Sequence, residues 1–120
     1  MDRSPELSPC IFCRIISGES TAKVLFRDDL VMAFRDIHPI ASTHILIVPI
    51  RHIGSINDLK EGDEALIGHM VLLARQLAEK DGLTERGYRL LINTGAHAGQ
   101  TVFHLHLHLF GGPLARLALR

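Results

Sequence analysis

Near its C-terminus the chain runs His104-Leu105-His106-Leu107-His108-Leu109. Strict alternation of this kind is the period of a β-strand, in which residues two apart share a face and lie roughly 6–7 Å apart. Leu105, Leu107 and Leu109 then anchor one face in a core, and three imidazoles stand in a row on the other. A solvated strand face is filled more simply by Thr, Lys or Ser. Three histidines side by side point instead to metal binding, or to proton transfer and nucleophilic attack near neutral pH.

The remaining elements arrange themselves around that strand. Ser8-Pro9 ahead of Cys10-Ile-Phe-Cys-Arg-Ile-Ile-Ser17-Gly18 reads as a short helix, capped by Ser8, with Pro9 in its first turn and Gly18 at its end. Its apolar face is Ile11, Phe12, Ile15 and Ile16. Residues 23–26 and 30–34 are β-prone runs split by Asp28-Asp29, the pattern of a hairpin. Residues 36–43, with His38-Pro39 and small side chains, form a loop. His44-Ile-Leu-Ile-Val-Pro49 is a continuous apolar strand, buried and central, closed by its proline. The spacing of Leu66, Met70, Leu73 and Leu77, beside Ile67, Val71, Ala74 and Ala78, predicts one long helix over 63–80, stopped at Gly82. Another strand follows at 88–93, then a glycine-containing loop at 94–100 and the histidine strand over 104–109. Gly111-Gly112-Pro113 is expected to end regular structure. The order implies an α+β fold, a five-stranded antiparallel sheet with one short and one long helix.

At 120 residues the chain makes one domain, 1–120. With 47% hydrophobic residues, 22% charged residues and zero net charge, it has no basic field with which to hold a nucleic-acid backbone. No apolar run reaches the roughly 18 residues that would span a membrane. Residues 1–9 lack the apolar stretch of a secretory signal, so the expected compartment is the cytosol. There, Cys10 and Cys13 are not expected to form a disulfide. Their C-x-x-C spacing suits two half-buried thiols on a short helix, or half of a zinc site; a redox pair would want a preceding strand that is absent.

The chain has eight histidines, and each position carries its own reading. His38, before a proline in a loop, is expected to be structural. His69 lies at the edge of the long helix's apolar stripe and suits a boundary or interface. His97 sits in the loop beside the triad, either exposed or brushing a ligand. His44 opens a buried strand and needs a hydrogen-bond partner, for which a triad imidazole is a candidate. For the triad itself, a three-histidine metal centre competes with nucleophilic chemistry. Such a centre takes its third ligand from another element, which leaves His108 surplus. The upstream loop favours phosphate chemistry: Asn93, Gly95, Gly99, Gln100 and Thr101 offer an amide, bare backbone N–H groups and a hydroxyl. No P-loop lysine motif is present.

Asn93-Thr-Gly-Ala-His-Ala-Gly-Gln-Thr-Val-Phe-His-Leu-His-Leu-His-Leu109 resembles the signature of the histidine triad (HIT) nucleotide-binding proteins. Cys10-Ile-Phe-Cys-Arg-Ile-Ile, Phe34-Arg-Asp-Ile37 and Thr43-His-Ile-Leu-Ile-Val-Pro-Ile-Arg-His-Ile53 extend the resemblance over residues 10–112. It fits best the small single-domain branch, the Hint-like purine nucleoside phosphoramidases. The resemblance implies a homodimeric hydrolase whose substrate is a purine nucleotide and whose catalysis needs no cofactor. His106 would be the nucleophile that takes up the nucleotidyl group. His108 would contact the phosphate and help protonate the leaving group. His104 would orient its neighbours, and His44 would support the triad as a fourth histidine. Asn93, Gly99, Gln100 and Thr101 would hold the phosphate, and Asp36 would accept the ribose hydroxyls. Ile11, Phe12, Ile15, Phe34 and Ile37 would enclose the purine. Cys10, Cys13, His52 and His104 also resemble a Cys₂His₂ structural zinc site found in a subset of bacterial relatives.

Histidine at position 108 favours hydrolysis, since the transferase branch of the superfamily looks to have glutamine there. The tail from Pro113 to the C-terminus departs from the Trp- or Met-containing tail that closes the partner's site in many relatives, which bears on the leaving group. Arg35 stands where better-known relatives often have histidine, beside the ribose site. The competing readings are a dinucleoside polyphosphate hydrolase of the same superfamily and a nucleotide-binding scaffold whose catalysis is incidental. The dimer interface is expected at the long helix and the Tyr88 strand.

Overall fold

The computed structural model describes residues 8–114, and the expected departures of the C-terminal tail beyond them lie outside the described residues. Five antiparallel strands form one sheet in the order β1-β2-β3-β5-β4: β1 (Val24–Arg27), β2 (Val31–Arg35), β3 (Ala41–Pro49), β4 (Tyr88–Leu91) and β5 (Leu107–Leu114). Helix α1 (Ile11–Ser17) and helix α2 (Glu64–Lys80) complete the α+β architecture.

The sheet is covered on both faces, which is why β2 and β3 read as unbroken apolar runs. On one face Val31, Ala33, Ile45, Ile47, Leu107 and Leu109 pack with Leu66, Met70, Leu73 and Leu77 of α2. On the other, Met32, Phe34, Leu46 and Val48 pack with Phe12 of α1. His44 and His108 are on this second face, because they alternate with Ile45 and Leu109. The β1–β2 turn is fixed by Asp28, whose carboxylate accepts the backbone N–H groups of Leu30 and Val31 at 2.8 Å each. Of the α2 stripe, Val71 alone is exposed, along with its neighbour Leu72.

Several boundaries differ from the sequence expectation, each for a local reason. Helix α1 is capped by Cys10, whose sulfur accepts the Cys13 N–H; Ser8 lies one step further out and accepts the N–H of Cys10. Strand β3 begins at Ala41, three residues before His44, because Ala41 and Thr43 find partners in Leu114 and Gly111 of β5. Strand β4 ends at Leu91 rather than at 93.

Strand β5 begins at Leu107 rather than His104. Its register against β3, Ile47 opposite Leu107, would bring Leu105 opposite Pro49, which has no N–H to give. Leu105 therefore turns its own N–H to the Ile53 carbonyl. The alternation survives nonetheless: Leu105 is in the α2-side core, while His104 and His106 are buried on the other side. At its far end β5 runs through Gly111-Gly112-Pro113 instead of stopping there. Tyr88, the first residue of β4, pairs with Gly111, so beyond that point β5 is bonded on one side only and tolerates a proline. Gly112 takes φ 76°, which only glycine adopts freely, at the irregularity opposite Ala41 and Thr43.

Candidate active site

His44, His106 and His108 converge on the α1 face of the sheet. Leu46 lies opposite His108 and Phe110 opposite His44, so His44 and His108 are diagonal neighbours across β3 and β5. Their rings meet, with His44 Nε2 3.0 Å from His108 Nδ1. His106 and His108 have ring centroids 4.9 Å apart. Phe110 stacks on His108 at an interplanar angle of 11°, continuing the period-2 row by one aromatic ring.

Backbone partners assign the tautomers. A carbonyl can only accept, so His106 Nδ1, 2.7 Å from the His104 carbonyl, must carry the proton. The lone pair of His106 is thereby left on Nε2. The Ile40 N–H donates to His44 Nδ1 at 3.3 Å, which puts the His44 proton on Nε2. His44 then donates to His108 Nδ1, and the His108 proton sits on its Nε2. One ring is thus set as a nucleophile and its neighbour as a donor. Asp36 stands behind this pair, with a carboxylate oxygen 3.4 Å from His44 Nε2.

All of these imidazoles are neutral at pH 7. Burial is the main reason in each case. It pushes His44 and His106 below the ordinary histidine value against the opposing pull of Asp36. His108, also repelled by His106 and His44, is held down to about 4. A neutral imidazole keeps the lone pair that attack requires.

His106 and His108 line a cavity of about 390 Å³, a volume suited to a small ligand. The structure brings Ile11, Phe12, Ile15, Phe34, Asp36, Ile37 and Thr101 into the same wall, as the sequence led one to expect. The lining also includes His38, expected from the sequence to be structural, together with Arg35, Thr21, Ala22, Leu46 and Val102. His44 is outside the lining and acts on it through His108. Asn93 and Gly99 lie beside one another but outside the cavity wall.

Gln100 does not offer its amide to a ligand. It is buried, its carbonyl oxygen accepts the Gly95 N–H at 2.8 Å, and its amide donates to the Gly54 and Val102 carbonyls. Its role is to close the 94–100 loop, which turns at Gly95 and Gly99 with φ 88° and 96°. His97 is exposed on this loop, and His69 reaches from α2 to Asp28 at 2.7 Å.

His104 belongs to a different group. Its Nε2 donates to the Pro49 carbonyl at 2.9 Å, which leaves the Nδ1 lone pair facing the sulfurs of Cys10 and Cys13 at 3.4 and 3.6 Å. His52 Nδ1 is 3.3 Å from Cys13 Sγ. The four donor atoms of Cys10, Cys13, His52 and His104 all lie within 4.8 Å of one another. Two thiols and two imidazoles, one with its outer N–H fixed by a backbone carbonyl, form a donor set that fits a tetrahedral metal ion. Without a cation between them, burial and the neighbouring Cys10 sulfur push the Cys13 thiol up to about 11. A metal would reverse that balance by favouring the thiolate.

Residues 9–118 match the protein family described as "Scavenger mRNA decapping enzyme C-term binding". The fold superposes on a HIT family hydrolase from Legionella pneumophila Philadelphia 1 with a TM-score of 0.86 and 46% identity, over 91% of this chain and 97% of that one. The chain belongs to the histidine triad (HIT) family. A HIT family hydrolase from Clostridium thermocellum gives a TM-score of 0.87 at 39% identity, covering 96% of this chain and 98% of its own. The purine nucleoside phosphoramidase of Escherichia coli (strain K12) is 48% identical over 102 residues, 85% of this chain and 86% of that protein. With these HIT relatives, the chain is a nucleotide-binding hydrolase.

Proposed function

We propose that this HIT hydrolase cleaves purine nucleoside 5′-phosphoramidates and related phosphate-substituted nucleoside monophosphates through a nucleotidyl intermediate on His106. The observation that carries the reading is the tautomer of His106, whose Nδ1–H is committed to the His104 carbonyl at 2.7 Å. Its lone pair is then on Nε2, in a ring that lines the cavity. Ile11, Phe12, Ile15, Phe34 and Ile37 supply an apolar slot for a purine, and Asp36 supplies the acceptor for ribose hydroxyls. Thr101, also in the lining, would face the phosphate.

The chemistry balances over two steps. Binding of the anionic phosphate raises the proton affinity of His108, so substrate and proton enter together; the new proton takes His108 Nδ1, and the His44 Nε2–H shifts to the Asp36 carboxylate 3.4 Å away. His106 Nε2 attacks phosphorus, the P–N bond breaks, and His108 gives its Nε2 proton to the departing amine. Water then attacks phosphorus and passes a proton to His108, the bond to His106 breaks, and the nucleoside monophosphate leaves. His108 ends the cycle protonated, as it began it. The His104 carbonyl holds the positive charge of the nucleotidyl-imidazolium through the Nδ1–H.

Three further features belong to this reading. Zinc would be held by Cys10, Cys13, His52 and His104, fastening the start of α1 to the segment before β5 and taking no part in the chemistry. The protein would act as a homodimer, through the exposed Leu72 and Val71 of α2 and the Tyr88 edge strand. Its compartment would be the cytosol, where free thiols persist. The test is turnover of a fluorogenic adenosine phosphoramidate by wild type and His106→Ala, each with and without EDTA. The reading expects EDTA-insensitive turnover that the substitution lowers by at least about 10³-fold. Turnover undiminished in His106→Ala would overturn it.

A further inference from the structure

Asp81 ends helix α2, where its backbone N–H caps the Leu77 carbonyl. A carboxylate is the wrong charge for that place, because the helix dipole puts partial negative charge at a C-terminus. Its side chain is committed elsewhere. Both oxygens receive the guanidinium of Arg35, at 2.9 and 3.1 Å, in a bidentate pair. One of them also accepts the hydroxyl of Thr43 at 2.9 Å. Arg35 and the buried Thr43 together hold the Asp81 carboxyl well below the usual carboxylate range, despite burial.

Arg35 is the last residue of β2, and Thr43 immediately precedes His44 on β3. One carboxylate therefore fastens both ends of segment 36–42, which is the β2–β3 connection and the first two residues of β3. That connection carries Asp36, Ile37 and His38 into the cavity wall. It also carries the Ile40 N–H that fixes the His44 tautomer, and through it the His108 donor. The connection itself has little packing of its own, since Ile37 and Ile40 are both exposed.

We propose that Asp81 is a positioning residue for the nucleotide site: with Arg35 and Thr43 it forms a clamp that holds the 36–42 connection in register for ribose binding. The inference rests on the assignment of Asp36 to the ribose under the proposed function. Loss of the clamp loosens Asp36 first, because Asp36 adjoins Arg35. His106, held by the His104 carbonyl, and His44 and His108, held by the pairing of β3 with β5, keep their places. The chemical step is thus less affected than nucleotide binding.

The test compares wild type, Asp81→Ala, Asp81→Asn and Thr43→Val by AMP calorimetry and by steady-state turnover of an adenosine phosphoramidate. Asp81→Ala is expected to weaken AMP binding and raise KM about tenfold while kcat changes less than about threefold, the scale of a small misplacement. Asp81→Asn, which keeps an acceptor for Thr43 but loses the charge, should fall between wild type and Ala. Arg35→Ala combined with Asp81→Ala should weaken AMP binding no further than Asp81→Ala alone. Folded Asp81→Ala with a lowered melting temperature but unchanged AMP affinity and KM would reduce the clamp to a structural ion pair and overturn the proposal. Should Asp81→Ala fail to fold, unchanged AMP affinity and KM in both Asp81→Asn and Thr43→Val would do the same. Failure of wild type itself to bind AMP would count against the functional reading beneath it, a result distinct from either of these.

Discussion

His106 and His108 differ in role because their ring nitrogens face different partners, not because their side chains differ. A main-chain carbonyl fixes the proton of His106 on Nδ1, while a neighbouring imidazole takes the Nδ1 of His108. The direction of the histidine shifts gives a sign to the pH dependence. Burial lowers the His106 value below that of a free imidazole, near 6.5, so the nucleophile stays deprotonated as the solution becomes mildly acidic. Protonation of His106 should therefore lower kcat/KM, which reports the free enzyme, only below pH 6.5, while above it kcat/KM falls as pH rises because His108 takes up a proton with the substrate. A rate profile measured across pH 4.5–8.5 checks this; an acid limb centred at or above 6.5 would contradict it. At this scale the sequence was eloquent where chemistry repeats along the chain. The period-2 row of histidines disclosed the site, and the need of a buried His44 for a partner anticipated its bond to His108. It was mute about Asp81 and Arg35, which are 46 positions apart and meet only after α2 has been laid on the sheet. It also misassigned Gln100, since an amide in a glycine-rich loop serves a phosphate or the loop itself, and only packing decides which.

At the scale of elements, α1 is too short to hold its position by its own hydrogen bonding. Phe12 buries one side of it, stacked edge-on against Phe34 and His106. Its N-terminus is joined to the segment before β5 and to His52 by the Cys₂His₂ group. Zinc there would couple α1 to the histidine strand. Protein purified without a histidine tag is expected to carry about one zinc per chain by elemental analysis, and Cys13→Ser to carry almost none. Losing the metal should lower the melting temperature by about 5–15 °C, as removal of a structural ligand does. Less than about a tenth of an equivalent in the wild type would rule the site out. The helices and the β1–β2 hairpin were legible from periodicity and from the Asp28 turn. The ends of β5 were not. Proline at 49 on the partner strand delays its start, and the missing neighbour beyond Tyr88 permits its continuation through Pro113, so both ends are set by pairing rather than by local composition.

The whole molecule is a sheet with two unequal coverings. Helix α2 makes a continuous core on one face; on the other, α1 covers only part of the sheet and leaves the cavity open beside it. Strand β4 lies at the sheet edge on the β5 side, and α2 packs beneath β3 and β5 with Leu72 facing outward. An edge strand and an apolar helix face invite a second copy. Sedimentation equilibrium at micromolar concentration should return twice the chain mass, and a mass near 13.3 kDa would contradict the dimer. The α+β class and the sheet's strand count followed from the order of periodic segments. The proposal that Ile11, Phe12 and Phe34 enclose a purine rests on family resemblance, because no pattern in these residues distinguishes a nucleotide wall from an ordinary core.

The central claim is covalent catalysis at His106, and the direct measurement is to trap the intermediate. Wild-type protein would be mixed with an adenosine phosphoramidate radiolabelled at phosphorus, quenched within a turnover and digested. The account predicts label on the peptide carrying His106, stable to alkali, released by acid and missing from His106→Ala. Turnover by wild type with no label on the chain, undiminished in His106→Ala, would contradict it.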